Sequence, residues 1–393
     1  PSARTASIAG SAASRQIQIE QFEEYDIIIT SYDLLKRDID YYENKYFDYM
    51  MIDEAQYIKN TSTQAAKSVK SISCGCRFAL TGTPIENRLS ELWSIFEYLM
   101  PGYLFSYKRF KEELESPIAE SQDDAARIRL SRLVRPFILR RLKKDVLKEL
   151  PDKIEEVVYA RMDGEQQRLY QAREKQLVIM LSKQTDAEFK TQKLQILAEL
   201  TALRQICCDP ALVYENYGDD SAKTKTCIEV IQNAVSGGHK ILLFSQFSSM
   251  LERLHMLLEE QEIRTLILTG KTKKEERRRL VAQFQSERAD VFLISLKAGG
   301  TGLNLTAADM VIHYDPWWNL AAQNQATDRA YRIGQDNKVT VLRLIMKGTI
   351  EERILKMQQD KQNLADSIIS EDGVSMSGLD KEQLIAVLEA QDS

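Results

Sequence analysis

Two neighbouring carboxylates close the apolar run "MMIDEAQYIKN" (50–60), placed like the metal-and-water end of a nucleotide hydrolase. Adjacent residues on a strand point to opposite faces, so Asp53 and Glu54 serve one site only where a strand ends. There the first carboxylate can hold Mg²⁺ and the second can orient or deprotonate a water. An acidic pair at a strand end is also commonly just solvated, and this one gains weight from its company. "ALTGTPIEN" (79–87) is a second strand ending in a tight Thr-Gly-Thr-Pro turn. Further on, "SLKAGGTGLNLTAADMVIHYDPWWNLAAQNQATDRAYRIGQ" (295–335) opens with a glycine-rich loop directly after a strand. Such a loop brings backbone amides close to a phosphate. In the same stretch a helix capped by Asn319 would place Gln325, Arg329 and Arg332 at i, i+4 and i+7, on one face. Two arginines aimed the same way suit the developing charge of a polyphosphate, whereas an isolated R-x-x-R is usually a solvated or salt-bridged face.

A hydrolase of this kind needs a phosphate-cradling loop, G-x-x-x-x-G-K-[ST], and none occurs in the 393 residues. "ILTGKTKKEERRRL" (267–280) has the right ending in Gly270-Lys271-Thr272, but Thr265 stands where the first glycine belongs. The residues between form an apolar strand. This stretch reads instead as a helix start, with Thr272 as cap, Glu275 completing a capping box, and Lys/Arg on the exposed face.

Stepping outward to the elements that must position these residues, short β-branched or aromatic runs alternate with amphipathic helices, the pattern of parallel α/β layers. Strands are expected at 25–30, 47–53 and 77–82, then at 240–245, 264–270, 290–295, 309–315 and 338–345. Residues 88 to about 215 read as almost wholly helical. A helix is expected from Thr349, which stands three residues before Glu352 at capping-box spacing.

Bulk numbers exclude several classes. Composition is that of a globular protein, with 44% hydrophobic and 28% charged residues, and no apolar stretch approaches the roughly 20 residues that span a membrane. The N-terminus has no apolar core of the kind an export signal carries. A net charge of −5 argues against an all-round basic surface, so any nucleic-acid contact is local. The five cysteines have neither zinc-finger nor C-x-x-C spacing, which suggests a reducing interior.

Asp-Glu-Ala-Gln, Leu-Thr-Gly-Thr-Pro, Lys-Ala-Gly-Gly-Thr-Gly, Asp-Pro-Trp-Trp-Asn and Gln-Ala-Thr-Asp-Arg-Ala-Tyr-Arg-Ile-Gly-Gln occur together, in order. That set resembles the Swi/Snf-type ATPase family of helicase superfamily two, in a bacterial-looking form, over nearly the whole chain. The resemblance implies an α/β fold of two RecA-like parallel-sheet lobes, the first incomplete, with helical insertions between them. It implies residues 1–87 as the end of lobe 1, 88–222 as insertions and linker, 223–348 as lobe 2, and 349–393 as a brace helix and tail. ATP and Mg²⁺ would bind between the lobes, with double-stranded DNA held across both.

Carried over by position, Asp53 is the metal residue and also touches ATP, and Glu54 is the water residue. Thr81, Gly82 and Thr83 would couple hydrolysis to DNA contact. Arg329 and Arg332 would be arginine fingers supported by Gln325. Lys297, Gly300, Thr301 and Gly302 would line the DNA track or transmit closure, Gly302 also at ATP, and Ser245-Gln246-Phe247 would contribute from the strand before. Gln56, Leu320 and Asp209 depart from the usual residues, the last two at positions read as structural, and Trp317 and Trp318 read as packing residues.

The family's phosphate loop would precede Pro1, so the chain is expected to be the C-terminal portion of a longer protein and inactive alone. The whole protein would be a monomeric ATP-driven motor on duplex DNA that remodels or displaces bound proteins, in the cytoplasm of a bacterium or the nucleus of a eukaryote. The alternative is a docking module for a DNA-bound protein such as RNA polymerase.

Overall fold

A computed structural model of the chain describes residues 3–82, 88–121, 123–141, 146–147, 150–183, 185, 188, 191–218, 221–286, 288–299 and 303–369. The described residues up to Ile138, together with 361–369, form one compact unit, and those from Leu139 to Asp360 form a second.

In the first unit, strands β1 (Thr5–Ser7) and β2 (Ile27–Ile29) pair in parallel, as do β3 (Tyr46–Ile52) and β4 (Ser73–Ala79). Each strand is short, and helices return the chain between them. Among these, α1 (Ala12–Glu20) is capped by the Ser11 hydroxyl and α2 (Gln64–Ser71) by that of Thr63. One sheet face packs against a core of Ile19, Phe22, Leu35, Ile52, Ile58, Val69, Ile95 and Tyr98. At Gly75 of β4 a Cβ would meet the Tyr46 hydroxyl at 2.9 Å and the Asp48 carbonyl at 3.0 Å, both from β3. Helices α3 (Leu89–Leu99) and α4 (Asp124–Val134) close a second core around Leu92, Phe96, Phe110 and Leu130. Tyr49, Met51, Phe78 and Leu80, on the sheet, stay exposed.

The second unit is a six-stranded, all-parallel sheet in the order β5-β10-β9-β6-β8-β7. Its strands are β5 (Lys153–Ala160), β6 (Ile241–Ser245), β7 (Thr265–Leu268), β8 (Val291–Ser295), β9 (Met310–His313) and β10 (Val339–Met346). Every residue of β6 and β8 is buried. That is why "ILLFS" and "VFLIS" are unbroken apolar runs: a parallel strand with helices over both faces has no solvent side. Each large side chain so buried contributes about 1.5–3 kcal/mol.

β5 lies inside the stretch expected to be helical. It is the edge strand, and Lys153, Ile154, Glu155 and Glu156 are all exposed, so its hydrophobic signal is weak and its charges guard the edge. The helical residues between 89 and 134 belong to the first unit. Helices α5 (Gly164–Lys183) and α6 (Lys193–Cys208) belong to the second and pack on each other and on Ile350 and Ile354.

The remaining layers of the second unit are α7 (Ala222–Ser236), α8 (Ser248–Glu259), α9 (Lys274–Gln285), α10 (Leu320–Thr327) and the part of α11 (Ile350–Ile369) that runs to Asp360. Thr272 does not cap α9. Lys273 holds that place without a side-chain bond, and the Thr272 hydroxyl instead accepts from Thr269 N at 3.1 Å, closing the preceding turn. At α11 the expected box is shifted by one residue: Thr349 Oγ1 accepts from Glu351 N, and Glu352 reaches back to Gly348 N.

Lys223, fully buried, ties α7 to the start of α11. Its ammonium donates to Glu351 and to the Tyr314 carbonyl at 3.2 Å, while Glu351 also accepts from Met346 N at 2.9 Å. Burial would lower the Lys223 pKa, but the Glu351 carboxylate beside it prevails and raises it. Among the described residues no helix is long and apolar enough to cross a membrane.

Candidate functional site

β3 ends at Ile52, one residue before the acidic pair, as two adjacent carboxylates on one site require. The β4 side then grips both ends of the turn: Leu80 N donates to Ile52 O at 2.8 Å, and Ala55 N donates to Leu80 O at 2.9 Å. Between these bonds Glu54 adopts φ 51° and ψ 55°. A non-glycine residue in the left-handed region costs about 1–3 kcal/mol and persists only where its surroundings enforce it.

Asp53 is exposed, and its Oδ1 accepts from Glu54 N at 2.8 Å. Its carbonyl accepts from the Tyr32 hydroxyl at 2.8 Å, and Tyr32 stacks on Tyr57 with centroids 5.4 Å apart. Burial, then the charges of Asp53 and Glu54, push the Tyr32 phenol up to about 12, so it remains a donor at any physiological pH.

Gln56 joins the two motifs of this unit. Its amide donates to Glu54 Oε2 at 2.5 Å, and its carbonyl oxygen accepts from Thr81 Oγ1 at 2.9 Å. The Gln56 amide therefore lies directly between Glu54 and the Thr-Gly-Thr turn. Gly82 is exposed, and Thr83 lies outside the described residues.

In the second unit Ser245 and Gln246 lie at the carboxyl ends of the central strands, where open parallel sheets bind ligands. Ser245 pairs with Ser295 of β8, directly before the helical turn Leu296–Gly299 that contains Lys297. Gly300, Thr301 and Gly302 lie outside the described residues. Ser245 is fully buried and gives its hydroxyl to Asp315, which also accepts from Gln246 N at 3.3 Å. A hydroxyl held this way orders the strand end.

Arg204 of α6 completes the cluster. It donates to Gln246 Oε1 at 2.9 Å and to the Pro316 carbonyl, with its guanidinium 5.7 Å from the ring centroids of Phe247 and Trp318. Burial raises the pKa of Asp315 against the opposing pull of Arg204 and Ser245. Trp317 and Trp318 pack against core clusters. Asp209, fully buried, accepts from Arg253 Nε at 2.7 Å and Ala211 N at 2.9 Å.

Asn319 caps α10, accepting from Ala321 N and Ala322 N. The helix stops at Thr327, so helical spacing does not carry the line from Gln325 to Arg329 and Arg332. Both arginines sit on the turns that follow, Arg329 half-buried and Arg332 exposed. His313 Nε2 lies 2.9 Å from Thr327 Oγ1, and Leu305 N donates to Arg329 O at 3.0 Å, a tertiary bond that takes the Arg329 carbonyl out of any continued helix. Gln323 Oε1, also on α10, accepts from Trp317 N at 3.2 Å and from Gln358 of α11 at 2.7 Å.

Motif reading missed Tyr32, Arg204, Asp315, Gln323 and Gln358 as contributors. Asp315 alone carried a signal, as the first residue of Asp-Pro-Trp-Trp-Asn.

Among the described residues no cluster of His, Cys, Asp and Glu could hold a metal unaided. Mg²⁺ usually takes one or two carboxylates and completes its shell with phosphates and waters. An exposed Asp53 fits that role.

Two parallel α/β units, one of them ending a strand in an acidic pair, have the architecture of a RecA-like core. Residues 2–212 match the SNF2-related domain and residues 222–334 the helicase conserved C-terminal domain, and the chain belongs to the SNF2-related family. It is 39% identical over 376 residues to an uncharacterized ATP-dependent helicase of Mycoplasma genitalium, covering 95% of this chain and 35% of that one. It is 40% identical over 356 residues to YwqA of Bacillus subtilis, named for ATP-dependent helicase/translocase activity, covering 88% and 38%. The SWI2/SNF2 ATPase core domain of Sulfolobus solfataricus is 37% identical with a TM-score of 0.51, covering 100% of this chain and 80% of that one. The chain spans little more than a third of the length of these two bacterial relatives.

Proposed function

We propose that these residues supply the hydrolytic and coupling parts of an ATP-driven motor that tracks along double-stranded DNA and displaces or remodels bound proteins. The observation that carries this reading is the bond sequence from Glu54 through Gln56 to Thr81, which joins a water-activating carboxylate to a candidate nucleic-acid contact.

In this mechanism Asp53 would hold the Mg²⁺ that accompanies ATP, which would supply positive charge to offset that of the phosphates. Glu54 orients the attacking water, its carboxylate held by the Gln56 amide. Arg329 and Arg332, supported by Gln325, meet the developing phosphate charge. Lys297 and the glycine-rich residues 300–302 grip DNA phosphates with little regard to sequence, as phosphate contacts do. Residues 1–87 then serve as the C-terminal part of lobe 1, 88–222 as insertions and linker except for β5, which joins the lobe 2 sheet, 223–348 as lobe 2, and 349–393 as brace helix and tail.

The apolar face of Tyr49, Met51, Phe78 and Leu80 is exposed, which leaves one side of this parallel pair uncovered. Parallel strands are normally covered on both faces. Without a phosphate-cradling loop, the 393 residues alone hold ATP poorly and do not turn it over. The test is ATP turnover by a protein extended upstream through such a loop, with no DNA, single-stranded DNA and duplex DNA. Stimulation by duplex alone, lowered about 10²- to 10⁴-fold by Glu54→Gln, is expected. Indifference to every DNA would overturn the motor reading and favour docking on a DNA-bound protein such as RNA polymerase.

A further inference from the structure

Gln335 follows Gly334, whose φ of 95° reverses the chain after the arginine turn. The glutamine side chain is buried, with 4% of its surface exposed. Its amide nitrogen faces three carbonyls, donating to Ala308 O at 2.8 Å, Thr306 O at 3.1 Å and Ala330 O at 3.2 Å. Its oxygen accepts from Asn337 N at 2.9 Å. Two of those carbonyls belong to the segment that emerges from the glycine-rich loop, and the third lies between Arg329 and Arg332. The backbone repeats the link, since Leu305 N donates to Arg329 O at 3.0 Å. Leu305, Ala308 and Ala330 are fully buried in one core cluster.

We infer that Gln335 is a positioning residue that joins residues 303–308 to the turn 328–335, so that the loop segment and both arginines move as one body. The chemistry permits few substitutes. A carboxylate would set negative charge against three carbonyl oxygens, and an apolar side chain would leave buried acceptors without a donor. Resting on the proposed motor reading, this makes Gln335 the mechanical link by which DNA at the glycine-rich loop displaces the arginines.

The test is amide hydrogen exchange on the whole 393-residue chain, wild type and Gln335→Met, with and without a short DNA duplex. Without DNA, the substitution is expected to speed exchange at Leu305, Ala308, Arg329 and Gln335 together, by about tenfold or more, and to spare β6 and β8. Unchanged exchange at these four amides, or a rise that includes β6 and β8 in step, would overturn the inference. With DNA, wild type gains protection in both segments and the variant only in 303–308; protection of both in the variant would overturn the link. If duplex protects neither segment in wild type, the DNA reading fails, and the DNA-free comparison still decides the role of Gln335. Should Gln335→Met not fold, Gln335→Asn keeps the amide but withdraws it from Ala308 and serves the same comparison.

Discussion

The amide of Gln56 donates to Glu54 Oε2 at 2.5 Å, and the same side chain accepts from Thr81, 25 residues along the chain. Glu54 thereby has its orientation set by the next motif and not only by its own strand. Gln56→Met keeps the volume and removes both bonds. In a protein extended through a phosphate loop, duplex-stimulated turnover is expected to fall about 10- to 100-fold, with duplex affinity within about twofold. An equal loss of affinity and turnover would show that Gln56 acts in binding instead.

The Lys223–Glu351 pair makes a prediction about stability. Both side chains are fully buried, so removing one leaves the other charged in an apolar core. Lys223→Met is expected to cost about 3–5 kcal/mol, and the double variant Lys223→Met/Glu351→Leu distinctly less. Urea unfolding of the four proteins in the cycle measures the difference, and additive losses would contradict a coupled pair.

His313 predicts a pH dependence. Burial, then the nearby Arg343, hold its imidazole down from 6.5 to about 3. Above about 6.5 neither folded nor unfolded chain carries this proton, and the full stability is present. As pH falls from there toward 3, the unfolded chain takes up a proton at this position that the folded chain refuses. Stability is therefore lost on acidification, by about 1.4 kcal/mol per pH unit inside that window. Comparing denaturation midpoints of wild type and His313→Gln between pH 7 and 5 isolates the effect, since the variant lacks this group's slope. Parallel slopes would mean that His313 titrates normally.

Arg204 makes a third prediction about stability. Its planar fork reaches Gln246 and Pro316 at once and lies near two rings. Lysine has the charge but not the fork. Arg204→Lys is expected to cost about 2–4 kcal/mol and to change the emission of Trp318. Chemical unfolding followed by tryptophan fluorescence reads both, and a neutral substitution would show the cluster to be incidental.

The strands carrying the acidic pair and the glycine-rich loop were legible because their signals are local. "FDYMMID" and "DVFLIS" are apolar runs whose ends coincide with the ends of β3 and β8 to within a residue. The Asn319 cap was legible for the same reason, since a cap bonds to amides two and three residues away. β5 was not, because an edge strand with exposed Lys153, Glu155 and Glu156 carries little of the pattern that marks a buried one.

By itself the sequence determined the family, the alternation of strands and helices, and the residue types able to do the chemistry. Those properties reside in spacing along the chain. Tertiary structure decided which of these residues are accessible and which are held in place. Ser245 is turned inward by Asp315, 70 residues away, and Arg204 bonds a carbonyl 112 residues away. It also decided how the chain leaves α10, because the Arg329 carbonyl accepts from Leu305 N and not from an amide one turn further on. Hydrogen bonds between distant segments form only once the sheet has brought their ends together, and no periodicity along the chain records them.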